Sequence, residues 1–417
     1  MRKILIVGAG HSGLQLAHGL LNNGYDVTVI TGQTSIEIRT NRPAITQLTM
    51  PTALELEREL HLDFWSAQAP RIEKFKIGLF PPGASPTIMA SSFENGGYGI
   101  AIDRRVKIAD WLEYFEDCGG KVVIHGVTVS DLDYFSRMFD LIVIAVGHGE
   151  LGALFDHDTS RFSAARKRAL AQANIFDVAV DPGEKDSVGW AGTSPELGCF
   201  FLVPFLTREG PCHALFMSDR PGGSMGAWPA RPRPDDQFAW MQELLRKYAP
   251  PYYERVKDAE LVDGRSTIAG MLQPQVRNPV GVLPSGGLVL GISDVVISMD
   301  PYVLQGWNHS ARCAKSYLES ILAHGDKPFD RDFLERTFEE FWEYGHTAQH
   351  WSEWVSTMWE QRLPDWVQEI FGLMAEVPGV GDRLLKGWNY PPDFFTWLYD
   401  EQGGKKWLEE LKAARGR

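Results

Sequence analysis

The sequence predicts an α/β protein. It should have a Rossmann-like parallel sheet at its N-terminus, an antiparallel β-sheet in the middle and a C-terminal helical region. Three observations carry this. The apolar run Lys3 to Val7 leads into Gly8-Ala9-Gly10-His11-Ser12-Gly13, then into leucines at helical spacing (Leu14, Leu16, Leu20, Leu21), then into the strand Asp26 to Ile30. Asp140 to Gly147 is apolar on both faces, as parallel strands covered by helices are, and Gly286-Gly287 opens a similar strand, Leu288 to Gly291. Between about 185 and 275 the pattern changes to aromatic and β-branched runs (Cys199 to Phe205, Cys212 to Met217) broken by turns such as Pro221-Gly222-Gly223, and past 330 it is helical and rich in tryptophan.

Each remaining element follows from local pattern. Ile108 to Phe115 reads as a helix and Lys121 to Ile124 as a strand. A chain of 417 residues needs more than one packed unit. With 44% apolar and 23% charged residues it is an ordinary globular chain. Its net charge of −13 argues against nucleic acid and anionic membranes as partners. The longest strongly apolar run, Leu141 to Val146, is far short of the roughly 20 residues that span a bilayer. The first strand is too short for a signal-peptide core, and the four cysteines (Cys118, Cys199, Cys212, Cys313) form no Cys-x-x-Cys pair, so a reduced, cytoplasmic protein is expected.

The strand–glycine–helix order gives Gly8-x-Gly10-x-x-Gly13 a dinucleotide-binding meaning. One glycine makes the tight turn, one lets backbone approach a pyrophosphate, and one lets helix and strand pack closely. The helix N-terminus then offers free N–H groups to the phosphates. The second strand ends in Ile30-Thr31-Gly32, without the acid that commonly holds the ribose, so only Thr31 could bond a hydroxyl there. His11, His148 and His309 read as turn or cap residues. His346 and His350 share a helix face, but Thr347 stands where a metalloprotease glutamate would, and no third ligand is near, so no metal is expected. The C-terminal tryptophans read as core.

A second constellation, Gly291-Ile292-Ser293-Asp294 followed by Asp300-Pro301-Tyr302-Val303-Leu304-Gln305-Gly306-Trp307-Asn308, resembles the second FAD motif of flavoprotein monooxygenases. With Ala101-Ile102-Asp103-Arg104-Arg105, Asp140 to Gly147 with Leu151-Gly152 and Phe155, Leu202-Val203-Pro204-Phe205, Pro274-x-Val276-Arg277 and Asn389-Tyr390-Pro391, the order and spacing resemble the FAD-dependent oxygenase component of two-component styrene and indole monooxygenases over essentially the whole chain.

The resemblance implies a fold of the para-hydroxybenzoate hydroxylase type. It divides the chain into an FAD-binding domain (1–175, with a substrate-cavity insertion at about 45–95), a β-sheet substrate domain (176–272), the rest of the FAD-binding domain (273–330) and a C-terminal helical region (331–417). It implies FAD, reduced by a separate NADH-dependent flavin reductase, and O2, forming a C4a-hydroperoxide that epoxidises a small apolar aromatic alkene such as styrene, or the indole double bond. Carried over, Gly8, Ala9, Gly10, His11, Ser12, Gly13, Arg105, Gly147, Asp294, Pro301, Gly306 and Asn308 face FAD, with an early arginine for which Arg42 competes with Arg39.

The substrate pocket is expected at Gln47, Thr49, Phe205, Leu304 and Trp307, with Gln47 orienting substrate or hydroperoxide and no acid–base dyad. Phe200, Phe201, Phe205 and Phe216 would wall the cavity. Leu304-Gln305-Gly306 replaces the family's Gly-Gln-Gly, and Trp307 a small residue, which adds bulk beside the flavin. The segment by which single-component hydroxylases bind NADPH and the halogenase Trp-x-Trp-x-Ile-Pro are absent. Two alternatives stay open: an oxygenase of a larger specialised metabolite, and a non-catalytic FAD carrier. Whether the chain forms a homodimer is also left open.

Overall fold

The computed structural model describes residues 1–162, 166–182, 187–225 and 232–415. A six-stranded sheet is built from β1 (Lys3–Val7), β2 (Asp26–Thr31), β3 (Lys121–Ile124), β4 (Leu141–Ile144), β5 (Val280–Val282) and β6 (Leu288–Gly291), in the spatial order β5-β6-β4-β1-β2-β3. All pairs are parallel except the hairpin β5–β6. Strands β1 and β4 are buried at nearly every position, which their continuous apolar sequences require. Four helices cover or adjoin this sheet: α1 (His11–Asn22), α2 (Pro51–Glu59), α3 (Arg104–Asp117) and α4 (Gly306–His324). Helices α1 and α4 pack so closely that a Cβ on Gly19 would meet Leu318 at 2.6 Å.

The second sheet is antiparallel apart from one pair. Its path runs Glu260–Leu261, Arg168–Phe176, Gly210–Asp219, Gly198–Thr207, Val188–Ser194, Lys74–Leu79, Thr87–Ser92, and Thr267–Leu272 also pairs with Arg168–Phe176. It begins at Arg168, eight residues ahead of the expected boundary, and two strands of the 45–95 segment are its outer members. Lys74–Leu79 runs parallel to Val188–Ser194.

Side chains alternate across this sheet, and that corrects one expectation. Phe201, Phe205 and Phe216 face the turn of Tyr302 to Leu304 and the C-terminal helices. Phe200 points the other way, into a core closed by the helix Pro234–Tyr248, where its ring meets Tyr252 edge-on. It therefore cannot wall a cavity shared with the other three.

The C-terminal region adds α5 (Arg331–Thr357) and shorter helices, with the tryptophans as core: Trp351 stacks on Phe394, and Trp388 and Trp397 are fully buried. His346 and His350 lie against Phe395. Among the described residues no cluster of three or more His, Cys, Asp or Glu could hold a metal ion, and no helix is long and apolar enough to cross a membrane. Cys199, Cys212 and Cys313 are buried free thiols, whereas Cys118 is exposed.

Candidate functional site

Two helix N-termini converge beside the ends of β1 and β4. At α1, Gly8 has φ +108°, a conformation that disfavours other residues, and a Cβ there would meet Val146 at 2.5 Å. A Cβ on Gly13 would meet Ala145 at 2.8 Å, so this glycine is what lets helix and strand touch. A Cβ on Gly10 would touch only Ala145 O, at 3.4 Å, and Gly10 caps the helix with no side-chain bond. The first turn of α1 carries no acidic residue, so its free N–H groups and positive dipole end remain for an anion. Ala9 is partly exposed and Ser12 is buried.

At α4, the preceding loop is held by Asp300. Its carboxylate accepts from the Tyr302 N–H (3.0 Å), Arg168 Nε (2.7 Å), Ser218 Oγ (2.8 Å) and Ser356 Oγ (3.3 Å), and its own N–H donates to Ser352. Pro301 stands on this anchored turn. Leu304 is fully buried at φ +52°, a left-handed conformation that a non-glycine residue adopts under strain. Gly306 opens α4, and a Cβ there would lie 2.5 Å from Gln47 Oε1. The Gln47 oxygen is buried with no hydrogen-bond partner among the described residues.

Between the two helix ends lies a cleft marked by two opposite charges. Arg104 and Asp294 are both solvent-accessible, yet surrounding protein depresses the Arg104 guanidinium and pushes the Asp294 carboxyl up to about 6, each partly offset by the other's charge. Accessible groups so enclosed line a concavity. Gly147 borders it, since a Cβ there would approach Asp294 O at 3.2 Å, and Arg277 Nη1 ties the two turns together by donating to Gly147 O and Val295 O.

Several expected residues are placed elsewhere. Arg105 is bound through Nε and Nη2 to Asp103 and through Nη1 to Asn41 O, so the cleft cation is its neighbour Arg104. Arg39 is committed to Asp110 and Glu113, each at 2.6 Å, while the exposed Arg42 side chain has no partner among the described residues. Asn308 spends its amide inside the protein, donating to Leu48 O and Leu304 O and accepting from Met50 N–H, so only its backbone is free to meet a ligand. Trp307 turns away from the cleft, 5% exposed, and stacks on His11 at 5.4 Å. Bulk at this position fills the interior and does not narrow the space at the ring. Phe205 is fully buried in the sheet face that packs on Tyr302, Val303 and Leu304.

Sequence reasoning missed one cluster. Glu57 Oε1 accepts from Lys107 Nζ (2.5 Å), His11 Nε2 (3.0 Å) and Thr49 Oγ1 (3.3 Å), and Lys107 also donates to Thr49 (3.0 Å). The ammonium of Lys107 lies over the rings of Trp307, Trp111 and Trp65, at 4.3, 4.9 and 5.9 Å. Burial pushes the Glu57 carboxyl up, but Lys107 and the bonds it receives outweigh that and leave it below its ordinary value. Burial lowers the Lys107 ammonium, and brings His11 down to about 4 against the bond to Glu57. The Glu57 carboxylate is therefore ionised and the imidazole neutral, with its Nε2 proton donated to Glu57. A histidine in the pyrophosphate turn and a lysine one turn past Arg104 were the only signals available.

The cleft fits FAD. A glycine cradle that Cβ atoms would fill and an uncapped helix end suit the pyrophosphate, Asp294 suits a ribityl hydroxyl, and the second helix end with an unpartnered Gln47 oxygen suits the polar edge of the flavin ring. These features and the fold define a class, the FAD-binding proteins of the para-hydroxybenzoate hydroxylase fold. Within it, the chain is similar to styrene monooxygenase StyA of Pseudomonas fluorescens, 26% identical over 94% of this chain and 93% of that protein. It is also similar to StyA of a Pseudomonas species, 25% identical over the same shares. Residues 147–255 match the family described as "Styrene monooxygenase A putative substrate binding domain".

Among solved structures, a flavoprotein/dehydrogenase from Cytophaga hutchinsonii superposes with TM-score 0.62 at 14% identity, covering 99% of this chain and 100% of that one. The flavin-dependent brominase Bmp2 superposes with TM-score 0.58 at 15% identity, covering 94% and 96%. The chain is similar to StyA-type flavoprotein monooxygenases over nearly its whole length.

Proposed function

We propose that this chain is the oxygenase component of a two-component system, taking reduced FAD from a separate NADH-dependent flavin reductase and epoxidising a small aryl alkene such as styrene, or the indole double bond. The observation that carries it is the apolar sheet face of Phe201, Phe205 and Phe216 packed against the turn of Pro301 to Leu304, beside the cleft and Gln47. An apolar aromatic ring suits such walls. FAD, when bound in reduced form, supplies the activated oxygen for the transfer.

The chain's own residues bind, orient and exclude water. The α1 N-terminus and glycine turn hold the pyrophosphate, Arg104 adds positive charge, and Asp294 accepts from a ribityl hydroxyl. Arg42, exposed and unpaired where Arg39 is committed, completes the binding set. Gln47 is the polar group placed at the α4 N-terminus, where its amide orients substrate or the polar flavin edge. The buried Phe201–Phe216 stack, 4.7 Å between centroids, and Phe205 keep water from the reacting centre.

The test is single-turnover. Chemically reduced FAD, oxygenated buffer and the protein are mixed in a stopped-flow instrument with styrene or indole, and product is analysed by chromatography. Epoxide or its hydrolysis product is expected in amounts approaching the flavin supplied. Hydrogen peroxide alone, with every apolar alkene, indole and sulfide offered, would overturn the reading.

A further inference from the structure

We propose that the buried His11–Glu57–Lys107 unit is a positioning device for FAD: it sets the spacing between the pyrophosphate helix and the flavin helix without touching the cofactor. This rests on the FAD reading above.

Its members, and the groups that cage them, come from five separate elements, four of which carry or adjoin a cleft position. His11 is the first residue of α1, directly after Gly10, and Trp307 stands between Gly306 and Asn308. Lys107 follows Arg104 by one helical turn of α3, Thr49 follows Gln47 by two residues, and α2 brings Glu57 into the centre. One carboxylate oxygen therefore fixes three elements through directional bonds of 2.5, 3.0 and 3.3 Å. The stack of His11 on Trp307 and the ammonium over the same indole tie in the fourth, α4.

Charge is not what the fold needs for stability here. Lys107 and Glu57 are fully buried, and a buried ion pair is commonly no more stable than apolar residues of equal volume. Glu57 Oε2 and His11 Nδ1 have no partner among the described residues, which is itself a cost. Apolar side chains would pack the same space but allow helices to slide. Hydrogen bonds to one oxygen hold them to a few tenths of an ångström. The same device stiffens a pyrophosphate site whose second strand ends in Thr31 with no acid for the ribose.

The experiment uses the full chain stripped of flavin, with two readouts: the unfolding midpoint without FAD, and the dissociation constant for oxidised FAD from flavin fluorescence. The double variant Glu57→Met with Lys107→Met should keep its unfolding midpoint at or above that of the parent, yet bind FAD about tenfold more weakly. His11→Leu should show the same loss, and His11→Gln, which keeps an N–H donor for Glu57, should recover most of the affinity. Parent-like FAD binding by the double variant would overturn the proposal. Should the double variant unfold, the histidine pair decides: equal affinities of the Leu and Gln variants would overturn it, and a difference would support it. Failure of the parent itself to bind FAD would overturn the FAD reading and this proposal together.

Discussion

Two buried ion pairs stand behind the two ends of the cleft, and they are built differently. Arg168–Asp300, behind the Pro301 turn, uses both carboxylate oxygens and meets hydroxyls and a backbone N–H. Lys107–Glu57, behind the glycine turn, crowds three donors, one of them the Thr49 hydroxyl, onto one oxygen and leaves the other bare, with tryptophan faces around the ammonium. The first is a saturated clamp on a single loop. The second is a hub with a neutral histidine attached, and that histidine gives it a second possible cation. Partner chemistry, more than burial, decides how each pair responds to change.

The largest effect is expected where no histidine is bonded to the carboxylate to take up a charge. Arg168→Met leaves Asp300 buried and unpaired, and should cost about 3–5 kcal/mol in urea denaturation, nearly constant from pH 6 to 8. Lys107→Met should instead depend on pH. Removing Lys107 removes a charge that lowers His11, so the imidazole can charge beside Glu57. Burial, the largest cause, still lowers the ring, but its folded pKa moves up toward the unfolded value, so the variant loses less stability than the parent as pH falls through about 6.5. The Lys107→Met deficit should therefore shrink at pH 6 and widen at pH 8; a pH-independent deficit would place the two pairs in one class.

In the parent the effect of burial is undiminished. His11 and His18 are held down to about 4 and His309 to about 3, all chiefly by burial. The unfolded chain binds protons that the folded one refuses, so stability should fall as pH drops from 6.5 toward 4. Thermal unfolding across that range checks it. A smaller effect concerns Asp294. With the carboxyl pushed up to about 6, FAD affinity should rise several-fold as pH increases through 6, and Asp294→Asn should flatten that dependence in fluorescence titration. The smallest is His309→Leu. Both ring nitrogens of His309 lack partners among the described residues, so removing them should raise stability by about 1 kcal/mol and soften the acid loss.

The parts of this site that were legible in the sequence are those defined by adjacent residues. The glycine turn, Asp294, the Pro301 turn and the Gly306 helix start each sit in a contiguous motif whose backbone demands are local. Arg104 and Arg105 were not separable, because neighbours on a helix point about 100° apart and only the packing of α3 decides which meets the cleft. Phe200 and Phe201 raise the same problem in a strand, where register alone sends one to each face. Trp307 was misread because a large residue beside glycine implies a narrowed pocket unless the cavity behind it is known. The hub joins residues 46 and 50 positions apart, and no local pattern announces it. Gln47 was expected only as a pocket residue, and its place beside the second helix start came from the fold, which brings position 47 against Gly306.

The interleaving of the two sheets has a consequence for how the molecule is made. Strand β6 joins the parallel sheet beside β4 only after the intervening antiparallel sheet has been synthesised, and α4, ending at His324, packs on α1 from the very start of the chain. Contacts of such long sequence separation form late. A nascent chain shorter than about 306 residues has a glycine turn but no second helix end, and one shorter than 324 has no complete α4, so flavin capture becomes a reporter that synthesis has passed this helix.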